Sequence, residues 1–368
     1  MEVQLNTLYV VTRAAALHRD HLTIRVVAER QTRLVVPIHQ LESVAVFGGV
    51  RVTPAVMALC AERGVAVCFL TESGRLMSRV DAPASGNVLL RREQYRWADR
   101  PERRAEIARA VVAGKVHNAR NLLLRAGRES DLPADQAALS SAAARLADAL
   151  PAIGRADDVD SVRGHEGDAA RVYFEAFPAM VRQNRDVFRL NGRTRRPPLD
   201  PMNALLSFLY SLLTADCTAA AAAAGLDPSV GFLQPAAGAV GRRAAAAAGL
   251  DPSVGFLHTD RPGRPGFALD LMEEFRPLLA DRLALALVNR QQVKPSGFTT
   301  RDGGAVSMDE ATRRAVLGAY QQRKREEVTH PLLEQKVPVG RLPFLQARIA
   351  ARYIRGDLPA YVPCILKN

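Results

Sequence analysis

Cysteine is scarce and unpaired in this sequence. Cys60, Cys68, Cys217 and Cys364 stand far apart, with no C-x-x-C spacing among them. That pattern excludes a zinc ribbon and a disulfide framework, and it fits a reducing cytosol. Long apolar runs are missing as well. None approaches the ~18 residues a membrane span needs, and the alanine tracts are broken by Gly, Pro and Arg. No charged-then-apolar signal opens the chain, so neither membrane insertion nor secretion is expected. Acidic residues are the minority: 38 Asp and Glu face 50 Lys and Arg, for a formal charge of +12 and a pI near 10.1. Such a balance calls for a polyanionic partner, either nucleic acid or an acidic membrane surface.

What is present suffices for two domains, since 368 residues can bury a sizeable core. Residues 1–80 read as β-rich. Leu22, Ile24 and Val26 alternate with polar neighbours, and Leu34–Ile38, Ser43–Phe47 and Val65–Leu70 are further short apolar runs. Thr53-Pro54 marks a helix start and Gly64 its stop. This half clusters no acid, base or nucleophile, which suits a scaffold or dimerisation domain. The small residues of 81–88 form a linker, and from 89 to 368 the pattern is helical, apart from an irregular stretch at Pro151–Val162. The expected fold class is therefore α+β: a β-rich N-terminal domain followed by a larger all-α domain.

Chemistry concentrates in two places. In GHEGDAARVYFEAF, residues 164–177, Glu166 sits between two glycines just inside an expected helix start. In GLDPSVGFLHTDRPGRPGFALDLMEEFRP, residues 249–277, His258 precedes a loop carrying Arg261 and Arg264, and Asp270 and Glu273 follow one helical turn apart. One imidazole and two carboxylates beside guanidiniums suit metal-dependent phosphodiester chemistry. The same Asp270-x-x-Glu273 spacing is equally that of a helix capping box, and His258 alone is equally a structural histidine. Residues 189–198, RLNGRTRRPP, are the densest basic cluster. No aromatic interleaves it, so Arg189, Arg193, Arg195 and Arg196 suit phosphates better than stacked bases. The basic residues of the expected helix 103–126, Lys115 among them, fit a solvated face or a phosphate-tracking one.

One feature breaks the local pattern. AAAAAGLDPSVGFL occurs at 220–233 and recurs unchanged at 244–257. Two copies do not make a solenoid, so this is a tandem duplication. The upstream copy is followed by Gln234 and the downstream copy by His258. The downstream copy, joined directly to His258 and the Asp270 helix, is expected to keep the working register, with 220–243 extruded as an insertion; in the rival register the upstream copy packs natively and 234–257 loops out.

The segments HEGDAARVYFEAF, RTRRPPLDPMNALLSFLYSLL and GLDPSVGFLHTDRPGRPGFALDLMEEFRP carry a resemblance that spans nearly the whole chain. The sequence resembles the CRISPR-associated endonuclease/integrase family of the spacer-acquisition module (Cas1). The resemblance implies Glu166, His258 and Glu273 as metal ligands, with Asp270 in the same catalytic cluster and Mn2+ or Mg2+ as the ion. It implies joining of 3′-hydroxyl ends of a captured double-stranded DNA fragment to a CRISPR array by transesterification. It further implies a homodimer clamped on a small partner protein, Cas2, in a prokaryotic cytoplasm. Two other classes share the residue pattern. A repair- or restriction-type nuclease would hydrolyse DNA, and a non-catalytic DNA-binding scaffold would use Asp270 and Glu273 only as a helix cap.

Overall fold

The computed structural model describes residues 7–72, 74, 76–80, 88–194, 197–233 and 265–366. Alternating apolar residues place successive side chains on opposite faces of a strand, and the N-terminal region uses both faces. β1 (Thr7–Val10), β5 (Ser43–Phe47) and β7 (Ala66–Leu70) run parallel, and β8 (Leu76–Val80) closes that sheet antiparallel to β7. A second sheet has the order β4-β3-β2-β6, from β2 (Ala16–Asp20), β3 (Thr23–Ala28), β4 (Gln31–Pro37) and β6 (Arg51–Val52). Val44, Val46 and Val67 point into a core shared with Leu17, Ile24 and Val26 of the second sheet and with Val56 and Leu59 of α1 (Pro54–Glu62). Their neighbours Ala45, Phe47, Cys68 and Leu70 point the other way and join the helical core.

Helices begin where proline or a capping carboxylate says they should. Val88 opens α2 (Val88–Asp99), while 81–87 of the expected linker lie outside the described residues. Pro101, Pro133 and Pro201 stand at the first helical positions of α3 (Pro101–Glu129), α4 (Pro133–Arg155) and α6 (Pro201–Ala223). Asp158, Asp200 and Asp309 each accept a 2.7 Å bond from the backbone N–H three residues on, capping α5 (Val159–Ala176), α6 and the helix that starts at Glu310. Such a cap is worth about 1 kcal/mol. α7 (Gly266–Glu273), α8 (Arg282–Asn289), α9 (Glu310–Arg325) and α10 (Leu342–Ile354) complete the helical region. Two small hairpins, β9–β10 (Phe298–Thr300, Val306–Met308) and β11–β12 (Glu327–Thr329, Lys336–Pro338), lie on either side of α9. All four cysteines are buried and none forms a disulfide.

Three sequence expectations are corrected here. The stretch from Pro151 to Val162, read as irregular, is helical up to Arg155, where fully buried Ile153 keeps the last turn packed despite the proline, and again from Val159. Glu166 consequently lies in mid-helix rather than at a helix start, so the helix dipole has no part in its environment. The third concerns apolar length: α6 is long and apolar enough to cross a bilayer. It is instead the central core helix, with 72% of its apolar window buried and Phe208 against Phe47 of the strand-rich region at 5.8 Å between ring centroids.

α7 and α8 form one rod, interrupted by a π-wound stretch at Arg276–Asp281. Pro277 explains the widening. It has no N–H to offer the carbonyl of Glu273 four residues back, and its ring would clash there in a regular helix. The widened turn sets Asp281 between two tyrosines: its Oδ1 accepts from Tyr210 Oη at 2.7 Å and its Oδ2 from Tyr173 Oη at 2.9 Å. α5 and α6 are thereby both tied to the rod. Burial pushes the Asp281 carboxyl up to about 6 from 3.8, against the lowering effect of the two hydroxyls. A folded-state value above the unfolded one means that the proton stabilises the fold below pH ~4. That contribution, roughly 3 kcal/mol, is lost as pH rises through about 6. Urea unfolding of the parent and of Asp281→Asn between pH 4 and 7 tests this. The variant should show a shallower fall of stability with pH, by up to about one proton; parallel curves would remove Asp281 from the balance.

Candidate active site

Glu166 and Glu273 come from separate helices and meet at one ammonium group. Lys115, on the third helix of the cluster, α3, lies four residues after Val111 and three before Asn118 on the buried face. Its Nζ forms ion pairs with Glu166 Oε1 and with Glu273 Oε2, the latter at 2.8 Å. Arg276 Nη2 pairs with the other oxygen of Glu273 at 3.0 Å. Side-chain exposure is only 9% for Glu166, 4% for Glu273 and 14% for Lys115. Burial opposes the lysine charge, but the two carboxylates outweigh it and hold the ammonium above its ordinary value.

The rod that carries Glu273 is fixed from several sides. The next residue, Glu274, is fully buried, and its carboxylate accepts from Cys364 N at 2.7 Å, Gln346 Nε2 at 3.2 Å and the Tyr361 hydroxyl. Burial still raises that carboxyl to about 7. Asn118 Nδ2 bonds the Glu274 carbonyl at 3.0 Å and the Cys364 carbonyl at 2.8 Å, joining α3, the rod and the segment 361–366. Gly114 permits this. A Cβ there would stand 2.7 Å from Pro363.

Asp270 is not a helix cap. α7 begins at Gly266, which places both Asp270 and Glu273 inside it, and Glu273 spends its carboxylate on Lys115 and Arg276. Asp270 Oδ2 turns instead to the backbone N–H groups of Phe232 at 2.6 Å and Leu233 at 3.1 Å. Its Oδ1 is buried and has no hydrogen-bond partner among the described residues. Burial lifts this carboxyl to about 7, and the two N–H donors only partly offset the rise.

Those donors belong to the upstream copy of the duplication, and the expectation that 220–243 is extruded fails for 220–233. Leu226, Phe232 and Leu233 are core residues. Gln94 donates to the carbonyls of Asp227 and Val230 and accepts from Asp227 N, while Tyr95 donates to the Asp227 carboxylate at 2.6 Å. The loop also crosses α7 backbone to backbone. A Cβ on Gly231 would lie 2.8 Å from the Gly266 carbonyl carbon, and one on Gly266 would lie 2.7 Å from the Ser229 oxygen. Only glycine fits at either position. With this copy seated, the residue that follows Leu233 is Gln234, not His258. Gln234, the downstream copy 244–257, His258, Arg261 and Arg264 lie outside the described residues, as do Arg195 and Arg196.

The basic cluster divides. Arg189 is exposed. Arg193 turns inward: its guanidinium donates to Asn203 Oδ1, to the Thr194 carbonyl at 2.9 Å and to Ser207, and it lies 5.1 Å from the centre of the Tyr210 ring. This is a structural arginine, reached because Gly192, at φ +77°, folds the chain back onto α6. Asn203 gains all its partners there, as a buried amide must.

Glu166 and Glu273 fit a divalent ion of the Mg2+ or Mn2+ type. They offer hard carboxylate oxygens that already converge on one buried positive charge. Among the described residues no three His, Cys, Asp or Glu side chains form a metal-binding group. Reasoning from sequence missed Lys115 and Arg276 as members of the site. For Lys115 the signal was its helical register with Val111, Asn118 and Leu122.

The family described as CRISPR associated protein Cas1 matches residues 8–240 and, as a second match, 238–322, so the two matches meet between the copies of the duplication. A CRISPR-associated endonuclease Cas1 of Rhodospirillum rubrum is 45% identical over 371 aligned positions, covering 100% of both chains. That of Moorella thermoacetica is 44% identical over 363, covering 99% of each. Among solved structures, a casposase bound to integration product superposes with a TM-score of 0.77 at 19% identity, covering 97% of this chain and 93% of that one. A Cas6-RT-Cas1–Cas2 complex gives 0.77 at 22% identity, covering 100% of this chain and 37% of that one. At those identities the superpositions establish likeness of fold.

Because the copies are identical, removing 220–243 and removing 234–257 yield the same polypeptide, in which Leu233 runs directly into His258. This variant keeps every contact of the seated copy and shortens the connection to Pro265, lowering its closure cost by about 1 kcal/mol. It should melt at or above the temperature of the parent. Unfolding of the variant would show that the additional segment has become part of the packed structure.

Proposed function

The chain belongs to the CRISPR-associated Cas1 family, and we propose that it is a metal-dependent DNA endonuclease and integrase. In this reading it joins the 3′-hydroxyl ends of a captured double-stranded fragment to a CRISPR array by transesterification. It works as a homodimer with the small partner Cas2. The observation that carries the proposal is the convergence of Glu166 and Glu273 on a single buried cation position. Full-length identity to Cas1 endonucleases supports the activity class, and the fold likeness to a casposase on its product and to a Cas1–Cas2 complex agrees with joining and with the partner.

Glu166 and Glu273, with His258 as the proposed imidazole donor, would hold the Mn2+ or Mg2+ ion. Bound there, the ion would lower the pKa of the attacking hydroxyl and neutralise charge on the scissile phosphate. The protein's own part is orientation. Glu274, Asn118 and Asp281 lock the rod so that Glu273 faces α5, and the π-wound turn aims Arg276 at the same carboxylate. Asp270 fixes the backbone of the loop at Phe232 and Leu233. The net charge of +12 and exposed Arg189 suit the DNA backbone. A non-catalytic scaffold loses its main support, because Asp270 and Glu273 do not cap their helix.

Strand transfer into a branched or half-site DNA with Mn2+, with and without Cas2, tests the reading. Glu166→Gln and Glu273→Gln should each cut the rate by more than the roughly 10–100-fold typical of residues that only support a ligand, with the helical circular dichroism retained. Full metal-dependent activity in Glu166→Gln would overturn the assignment, and cleavage without joining would favour a repair- or restriction-type nuclease. On duplex DNA, Arg189→Ala should lower the log–log salt slope by about 0.9. Arg193→Ala should mainly lower the melting temperature; the reverse pattern would return Arg193 to the DNA-contacting set.

A further inference from the structure

Lys115 is the one basic side chain that touches both site carboxylates among the ion pairs of the described residues. Two buried carboxylates are balanced by two buried cations: Lys115 bridges Glu166 and Glu273, and Arg276 pairs with Glu273. The formal charge of these four groups is zero, which is what allows them to be buried without metal. A divalent ion placed on the same oxygens would leave the pocket at plus two, with an ammonium beside it. Like charges at that range in a partly desolvated pocket repel strongly. A phosphodiester supplies the missing negative charge. The lysine is also able to follow it, because the ammonium is a compact point charge with three donors on a flexible stem.

We propose that Lys115 is a positioning residue that holds Glu166 and Glu273 together in the ion-free protein and makes divalent-ion binding depend on DNA phosphate. The ion displaces the ammonium from the carboxylate oxygens, and the ammonium passes to the phosphodiester. Ion and DNA thus bind together and each weakly alone at this site. The inference rests on the reading of Glu166 and Glu273 as metal ligands.

The experiment is a calorimetric Mn2+ titration of the full chain, of Lys115→Met and of Lys115→Arg, each with and without a DNA duplex. Melting temperatures are taken in EDTA and in Mn2+. The parent should bind Mn2+ weakly alone and at least tenfold more tightly with DNA. Lys115→Met should bind Mn2+ at least tenfold more tightly than the parent without DNA and lose most of the gain from DNA. It should melt lower in EDTA and recover in Mn2+, while Lys115→Arg should keep the coupling of the parent. A merely structural lysine predicts a loss of melting temperature that Mn2+ does not restore, with Mn2+ affinity unchanged or weaker; either result overturns the proposal. If Lys115→Met does not fold even in Mn2+, the neutral pair Lys115→Met with Glu166→Gln decides. Its folding would show that the ion cannot replace the ammonium, which also overturns the proposal, and its failure to fold would do so by making Lys115 a packing residue. A parent that binds no Mn2+ with or without DNA would instead bring down the metal-site reading itself.

Discussion

The helical region is organised by the need to satisfy buried charge along one rod. Between Gly266 and Asn289 the side chains of Asp270, Glu273, Glu274, Arg276 and Asp281 are all buried. An uncompensated buried charge costs several kcal/mol, so each must find a partner. The partners come from every neighbour: Lys115 of α3, Tyr173 of α5, Tyr210 of α6, backbone N–H groups of the 232–233 loop, Gln346 of α10, and the segment 361–366. Apolar packing holds these elements together, but it does so without direction. The polar contacts select one rotation and one height for the rod, and thereby decide where Glu273 points.

The same demand explains the π-wound turn. A regular helix after Glu273 would turn Asp281 by a different angle and leave either Tyr173 or Tyr210 without an acceptor. Pro277 forbids the regular turn, and the widened one meets both hydroxyls. Arg276, within that turn, lies over the Tyr210 ring at 5.0 Å while it pairs with Glu273. One local irregularity therefore connects the tyrosines that brace the rod to the carboxylate that pairs with Lys115.

Much of this was legible in the sequence where local rules and tertiary packing agree. Ser43–Phe47 alternates with the period of a strand whose two faces are both covered, and it is the strand observed. Asp200-Pro201 and the run that follows announce α6, and Gly64, at φ +68°, ends its helix as expected. Agreement fails where a distant partner outweighs the local signal. Ser307-x-x-Glu310 has capping-box spacing, yet Asp309 caps α9, because its carboxylate reaches Thr312 N. Lys115 looked like one charge on a basic helix, since nothing near it in sequence reveals that Glu166 and Glu273 will be brought opposite. The Asp270 and Glu273 pair could be read in two ways for the same reason: the start of α7 is set by the crossing of Gly231 and Gly266, a contact between residues 35 positions apart.

The clamp on Glu274 has a consequence for how the protein is made. Its partner Cys364 lies 90 residues further along the chain, and Asn118, which bonds the carbonyls of both, is made 246 residues before Cys364. A ribosome adds about 5–20 residues per second, so for several seconds at least the rod exists with its most deeply buried carboxylate unanswered. During that interval Lys115, Arg276 and the two tyrosines can already engage the rod, but the clamp on the neighbour of Glu273 is missing. The rod acquires its last polar partners only after the segment 361–366 has emerged and closed over Gly114.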